Sequence, residues 1–467
     1  MQNSPAAAEH RALVWIAIIA LAGLSLRIQA AAGALWLDEA WSAVFAHDAE
    51  TPLGIFTRIN HDNNHHLNSL WLQWVGLGAP PLVARALSVL SGTAAIVVAG
   101  SIGLRRSPAA GVVTALLFAL SPALVTLGSE ARGYVPMMLA ALIAIWLVDR
   151  WLDGRPKTDH PIAIAACFYV GALFQLTMVF AACAIVGWAF LVLCYRQGPR
   201  VALSRTARLF GPGLAALAAA VLLVFGPALS GRAEFTYGAY QPFTLLQFWN
   251  AVVRMLGFAI GVPITTLLLP AGALAVLILA GALGTSRLAL YWIAIVAFPL
   301  SLAMLRMMNP GHPRYYLLIG LALLLLMGEG LAALIRARGW RRLAAAAALT
   351  TFAAGSAWAN LDLIETRRGD PGPAIRAMAA RAPGGTTVLV ERESGIALVV
   401  VAAAEQAYPL RYATACPARP YLFIDRYGAG SRGPPRVTRC GAAYRAIAAA
   451  ESHGFSGQNW TLYERVD

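Results

Sequence analysis

The chain has 467 residues, 59% hydrophobic and 12% charged, with a formal net charge of +14. Soluble domains carry about 25% charged residues, so the composition excludes an ordinary soluble protein and points to a polytopic membrane protein. The basic residues, all arginine except Lys157, are scattered between apolar runs; they form no tract or stripe of the kind a nucleic-acid partner needs, and they read as topology signals.

A spanning helix needs about 20 apolar residues. Eleven runs qualify, at 11–31, 82–104, 109–127, 134–150, 161–177, 178–195, 208–229, 262–284, 288–305, 314–335 and 342–359. The first lacks an A-x-A-like cleavage site and reads as a retained helix. Arg105-Arg106, then Arg150 to Lys157, then Arg196 to Arg208, Arg287, and Arg336 to Arg342 mark alternate connections. All fall on one side if 32–81 is a single loop on the other. The positive-inside rule then places the N-terminus in the cytoplasm, and an odd number of spans places the tail outside.

On that assignment the unusual polar residues gather at the outer face. Asp38-Glu39 lies just past the first run, between Trp36 and Trp41. A carboxylate at mid-bilayer costs roughly 2.5–3.5 kcal/mol, and bulky apolar flanks argue against two freely solvated acids. One could take a proton from an acceptor hydroxyl while the other positions it or holds a cation. His61-Asp62-Asn63-Asn64-His65-His66 follows in the same loop. It could bind a divalent cation, although its spacing matches no closed zinc site, or it could be a polar turn with Asn64 capping the next helix. Residues 66–78 read as an amphipathic helix in the interface, with Trp71 and Trp74 at headgroup depth; Phe243 to Gly257 is similar.

Glu130-Ala131-Arg132-Gly133-Tyr134 follows the third run. Its arginine could offer a planar fork to a phosphate or anchor the helix through an acid. In the 230–261 loop Arg232, Glu234, Tyr237 and Tyr240 could line a sugar pocket. Asn309-Pro310-Gly311-His312-Pro313-Arg314-Tyr315-Tyr316 opens the tenth run. A helix N-terminus attracts phosphate and Arg314 adds a full charge; the tyrosines could equally form an interfacial belt. No Walker loop, dinucleotide fingerprint or G-x-S-x-G turn stands in the required context.

From about 361 the character changes. Thr386 to Val390 and Tyr421 to Ile424 read as strands, 373–381 and 442–451 as helices. The expected fold is an all-α polytopic membrane protein of about eleven transmembrane helices plus interfacial helices. A small C-terminal α/β extracytoplasmic domain follows, so that 1–360 is the membrane domain and 361–467 the tail domain. Cys416 and Cys440 could pair in an extracytoplasmic tail. Cys167, Cys183 and Cys194 read as small core residues.

The acidic pair after the first run, the His-led interfacial helix, the Ala-Arg-Gly-Tyr exit and the Arg-Tyr-Tyr-Leu-Leu start of the tenth run resemble the GT-C glycosyltransferases. The closest group comprises bacterial relatives of protein O-mannosyltransferases and of the lipid A aminoarabinose transferase, including rhizobial core galacturonosyltransferase-like proteins. The resemblance covers roughly residues 10–335 and implies a GT-C-like inverting transferase with a polyprenyl-phosphate sugar as donor. It implies Asp38 as base and Glu39 as its support, or as a ligand with His65 of a divalent cation (Mg, Mn or Zn), the one cofactor to consider. Arg132 and Arg314, with His312 and Tyr315, would hold the donor phosphate; His65, His66, Tyr134 and Tyr237 would contact substrate. Where the family's interfacial helix begins His-Pro-Pro, this chain has His65-His66-Leu67-Asn68. The acceptor would be a lipid, a glycan or a protein at the periplasmic face of a bacterial inner membrane. A transporter or flippase of a lipid-linked or anionic substrate is the alternative, but it predicts polar residues through the bilayer and inverted repeats. A phosphotransferase or ligase on the same carriers would keep Arg132 and Arg314 and need another nucleophile.

Overall fold

Backbone N–H and C=O groups cannot be left unpaired in hydrocarbon, so apolar runs of this length fold as helices. The computed structural model describes residues 5–154, 159–230, 235–236, 241–263, 283, 286–426 and 433–466. Its contacts divide the chain into two compact units, one of Met1–Leu26, Leu90–Gly128 and Gly133–Trp358, the other of Arg27–Val89, Ser129–Arg132 and Ala359–Asp467.

Among the described residues six helices are long and apolar enough to cross a membrane: Ala6–Ala30, Ala86–Leu104, Tyr134–Leu152, Met178–Gln197, Pro199–Pro227 and Pro313–Arg336. Four shorter apolar helices, Pro108–Leu120, Pro161–Phe174, Leu245–Ile260 and Leu288–Met304, accompany them. The chain is a multi-pass membrane protein. Several expected runs are corrected. The run 109–127 is two helices, Pro108–Leu120 and Pro122–Leu127. Ser121 between them is extended (ψ 120°), the conformation a residue before proline prefers. The run 161–177 stops at Phe174, where Gln175 is extended. The run 342–359 lies in Trp340–Thr366, whose alanine-rich sequence is not apolar enough to join the six. The run 262–284 lies almost wholly outside the described residues.

The second unit holds a six-stranded sheet of order β2-β1-β3-β6-β5-β4, with β1 Thr386–Val390, β2 Leu410–Ala413, β3 Tyr421–Arg426, β4 Arg436–Arg439, β5 Ala442–Ala450 and β6 Asn459–Arg465. Strand β1 pairs in parallel with β2 and β3; the β3–β6–β5–β4 pairings are antiparallel. Side chains alternate across a strand. Val388, Val390, Phe423 and Leu462 therefore face one core, and Leu389, Leu422, Ile424 and Tyr463 the other. The first core also takes in Leu35, Trp36, Ile55 and Leu72 from the N-terminal part of this unit. Helices Gly372–Arg381 and Glu393–Glu405 complete the layer; the second was not legible in the sequence.

The helix expected over 442–451 is instead strand β5. Its alanines favour a helix in isolation, but β5 lies between β4 and β6, and those ladders override the propensity. A disulfide joins Cys416 to Cys440.

Candidate functional site

Asp38 and Glu39 sit in the first turn of helix Leu37–Asp48, where unsatisfied N–H groups and the helix dipole favour carboxylates. They part there. Glu39, at the third helical position, turns back and accepts from Trp36 N–H at 3.1 Å. It is fully buried, and Arg85 grips it with two bonds, Nε to Oε1 at 2.8 Å and Nη2 to Oε2 at 2.6 Å. Ala131 N–H adds a fourth donor. Burial by itself would push the Glu39 carboxyl up; the Arg85 guanidinium, aided by Arg368 and the Ala131 amide, outweighs it and holds the group below the ordinary carboxylate value.

Arg85 is used to capacity. Beyond Glu39, its Nη1 donates to Ala31 O at 2.8 Å and Gly33 O at 2.7 Å, and Nη2 to Ala34 O at 3.2 Å. One guanidinium therefore ties the 31–34 loop to the first turn of the acidic helix. A divalent cation does not fit at Glu39 and His65: the carboxylate already has an arginine across both oxygens, whose charge would oppose an ion there. Among the described residues no three His, Cys, Asp or Glu side chains form a group able to hold a metal.

Asp38 points elsewhere. Its side chain is 26% exposed, and Oδ2 lies 2.6 Å from Nη1 of Arg132, which is 6% exposed. The acid is thus reachable while its cation is held. Arg132 is fixed from its backbone: Ser88 Oγ donates to Arg132 O at 2.9 Å, and Asn68 Nδ2 to Ala131 O at 2.7 Å. Asn63 Nδ2 donates to Asp38 O at 3.0 Å and Ser42 Oγ at 3.1 Å, joining the His61–His66 segment to the acidic helix. The pair the sequence placed 94 positions apart is a contact.

The histidines are less available than their spacing implied. His65 and His66 are buried, and burial pushes the His66 ring down to about 4, so it is neutral near pH 7 and brings no charge to a phosphate. Asn64 is not the cap of helix His66–Val75. Its Nδ2 donates to Ile55 O at 2.9 Å and Ile59 O at 3.1 Å, and its Oδ1 accepts from Ser69 Oγ at 2.8 Å. His65 occupies the N-cap without a side-chain bond there. Trp74, 78% exposed, is placed as an interfacial side chain would be.

In the other unit Arg314 is buried, and its guanidinium carbon stands 5.9 Å from the centroid of the Tyr134 ring. His312 and Tyr315 are ring neighbours at 5.7 Å. Pro313–Tyr316 is a short 3₁₀ turn before helix Leu317–Arg336. Tyr315 also borders a narrow apolar crevice of about 20 Å³, lined by Met137, Met138, Phe180, Phe298 and Leu318. The motif glycine has a steric cause: a Cβ on Gly133 would fall 1.8 Å from Phe174 O. Tyr237, with Arg232, Glu234 and Tyr240, lies outside the described residues.

Sequence reading missed Arg85 and Arg368. Arg85 sits at the edge of the second apolar run and resembles a flanking topology arginine; Arg368 lies in the tail, where no motif marks it. The available signal was the pairing problem itself: two buried acids, Glu39 and Glu130, need nearby cations.

No protein-family model and no curated protein sequence matches the chain. Two solved structures of ArnT from Cupriavidus metallidurans do, in the apo state with a TM-score of 0.57 and bound to undecaprenyl phosphate with 0.55. Each is 12% identical, over 96% of this chain and 97% of the other. The likeness spans nearly the whole of both chains, and the chain accordingly shares the fold of ArnT.

Proposed function

We propose that the protein is an integral-membrane inverting glycosyltransferase that moves a sugar from a polyprenyl-phosphate donor to a hydroxyl of a lipid, glycan or protein acceptor. The observation that carries this reading is the Asp38–Arg132 pair: a reachable carboxylate beside a buried guanidinium, on the fold of a protein whose structure binds undecaprenyl phosphate. Asp38 takes the acceptor proton as its oxygen attacks the anomeric carbon. The bond to the donor phosphate breaks, and the lipid phosphate leaves with the electron pair. Arg132 neutralises that phosphate, since oriented cations at a developing charge are what lower such a barrier. Arg314, with His312 and Tyr315, is the candidate phosphate ligand of the other unit. Glu39 braces the base.

A lipid-linked donor suits a chain with no nucleotide-binding motif. Tail placement follows from arginine asymmetry: the C-terminal domain is periplasmic, and a reporter fused after residue 467 is active outside the cytoplasm. The deciding experiment supplies purified protein with a panel of polyprenyl-phosphate sugars and follows sugar transfer to envelope glycolipids. Transfer by the wild type and a residual rate about 10³-fold lower by Asp38→Asn is expected. Full turnover by Asp38→Asn removes its role as base.

A further inference from the structure

After helix Trp340–Thr366 the chain makes a turn that is costly on its own terms. Arg367, Arg368 and Gly369 have φ of +48°, +57° and +75°. Two successive non-glycine residues in the left-handed region are disfavoured and persist only where the surroundings fix them. The surroundings here are specific. A Cβ at Gly369 would fall 1.8 Å from Gln458 O. Gln458 N–H donates to Arg368 O at 3.1 Å, and Trp460 Nε1 to Gly369 O at 2.7 Å. The sheet holds the turn from one side.

On the other side the turn presents Arg368, which is fully buried. Its Nη1 donates to Ala30 O at 2.7 Å, its Nη2 donates to Ser129 Oγ, and its Nε lies 3.6 Å from Glu130 Oε1. Asp370 Oδ1 accepts from Ala34 N–H at 3.0 Å and from Gly372 N–H at 2.8 Å. One turn therefore reaches both segments that carry the reacting pair: 30–34, which leads into Asp38, and 129–130, which leads into Arg132. Desolvation and nearby Arg85 lower the Arg368 guanidinium to about 10, so it remains charged near neutrality in a place that opposes charge. Apolar packing would anchor a turn at least as stably as a buried ionic group. What a guanidinium adds is direction, fixing several acceptors at once.

We propose that Arg368, together with Asp370, is a positioning residue for the transferase chemistry, holding the loops of Asp38 and Arg132 in register from the C-terminal part of the chain. This rests on the transferase reading, and the test keeps the two separable. Full-length Arg368→Gln, Arg368→Lys and Asp370→Asn are compared with wild type by hydrogen exchange, and by turnover at saturating donor with and without Asp38→Asn. Expected for Arg368→Gln is faster exchange confined to 30–42 and 129–134, with β1, β3 and β6 unchanged. Turnover falls about 10²-fold, as a small misplacement of reacting groups produces. No further loss appears on top of Asp38→Asn, and Arg368→Lys recovers part of the rate. Should Arg368→Gln fail to fold, Arg368→Lys and Asp370→Asn carry the same comparison. Exchange that is unchanged or raised uniformly, or losses that multiply with Asp38→Asn, overturn the proposal. A wild type inactive with every polyprenyl-phosphate sugar ends the transferase reading and with it the role of Arg368 in that chemistry; the exchange pattern then still decides whether the turn braces those two loops.

Discussion

In one unit Arg287 bridges Asp149 and Glu329, with Arg105 also on Asp149 and Tyr291 OH donating to Glu329 at 2.6 Å. In the other, Arg85 grips Glu39 while Arg368 lies beside Glu130. Both networks are buried and both set arginines against acids. They differ in what they join. The Arg287 network links helices and helix ends, Ile102 O among them at 2.9 Å, in backbone that is already regular. The Arg85 and Arg368 network holds irregular backbone: the 31–34 loop, the 129–132 turn and the left-handed residues 367–369. A helix end needs little help to keep its shape; a loop does, because its backbone groups have no ladder to pair with. Next to the loop network stands a carboxylate left reachable, Asp38. Next to the helix network every acid named is committed. The comparison teaches that a buried ion pair by itself is not what sets the proposed site apart; the bracing of irregular loops around a partly open charge is.

Four measurements sharpen or break that contrast. The largest effect is expected for Asp38→Asn, about 10³-fold or more in turnover, within the range for a lost general base, with unfolding temperature and undecaprenyl phosphate binding retained. Next, Arg287→Leu removes the bridge of the helix network, leaving Asp149 to Arg105 and Glu329 to Arg106 at 3.7 Å. About 1–3 kcal/mol of stability is expected to go, the scale of buried acceptors that lose a donor, with turnover per folded molecule unchanged; a selective loss of turnover would erase the distinction between the networks. Third, Arg314→Ala is expected to weaken undecaprenyl phosphate binding about tenfold, the scale of one charge-assisted hydrogen bond, measured by equilibrium binding in detergent; unchanged affinity removes its phosphate role.

The smallest effect concerns pH. The Glu39 carboxyl is held below its ordinary value in the folded protein, so its contribution to stability is complete above the unfolded carboxylate range near about pH 4.3. It is lost as pH falls through the lower folded value. The stability gap between wild type and Glu39→Gln is therefore expected to shrink on acidification below about pH 4, and a gap constant from pH 7 to pH 3 would show that Glu39 is not an ion pair.

How much was legible follows from the kind of signal. The long apolar runs mark helices because hydrocarbon leaves the backbone no alternative. The first strand and the third were readable from β-branched and aromatic residues flanked by glycine and proline. The Asp38-Glu39 and Ala131-Arg132-Gly133 motifs were visible because charges between large apolar side chains need a reason. The alanine-rich 442–451 segment misled, since its local preference is helical and its pairing partners lie elsewhere in the chain.

The sequence by itself determined that this is a multi-pass membrane protein and that its unusual polar residues lie in a few segments, because solvation energies are properties of composition and order. Only the tertiary structure decided that Glu39 is a strut and Asp38 the open acid, two neighbours separated by which arginine each meets. It also decided that the turn at 367–370 belongs with loops more than two hundred residues earlier. Electrostatic partnership is set by distances of a few ångströms, and those exist only once the chain has folded.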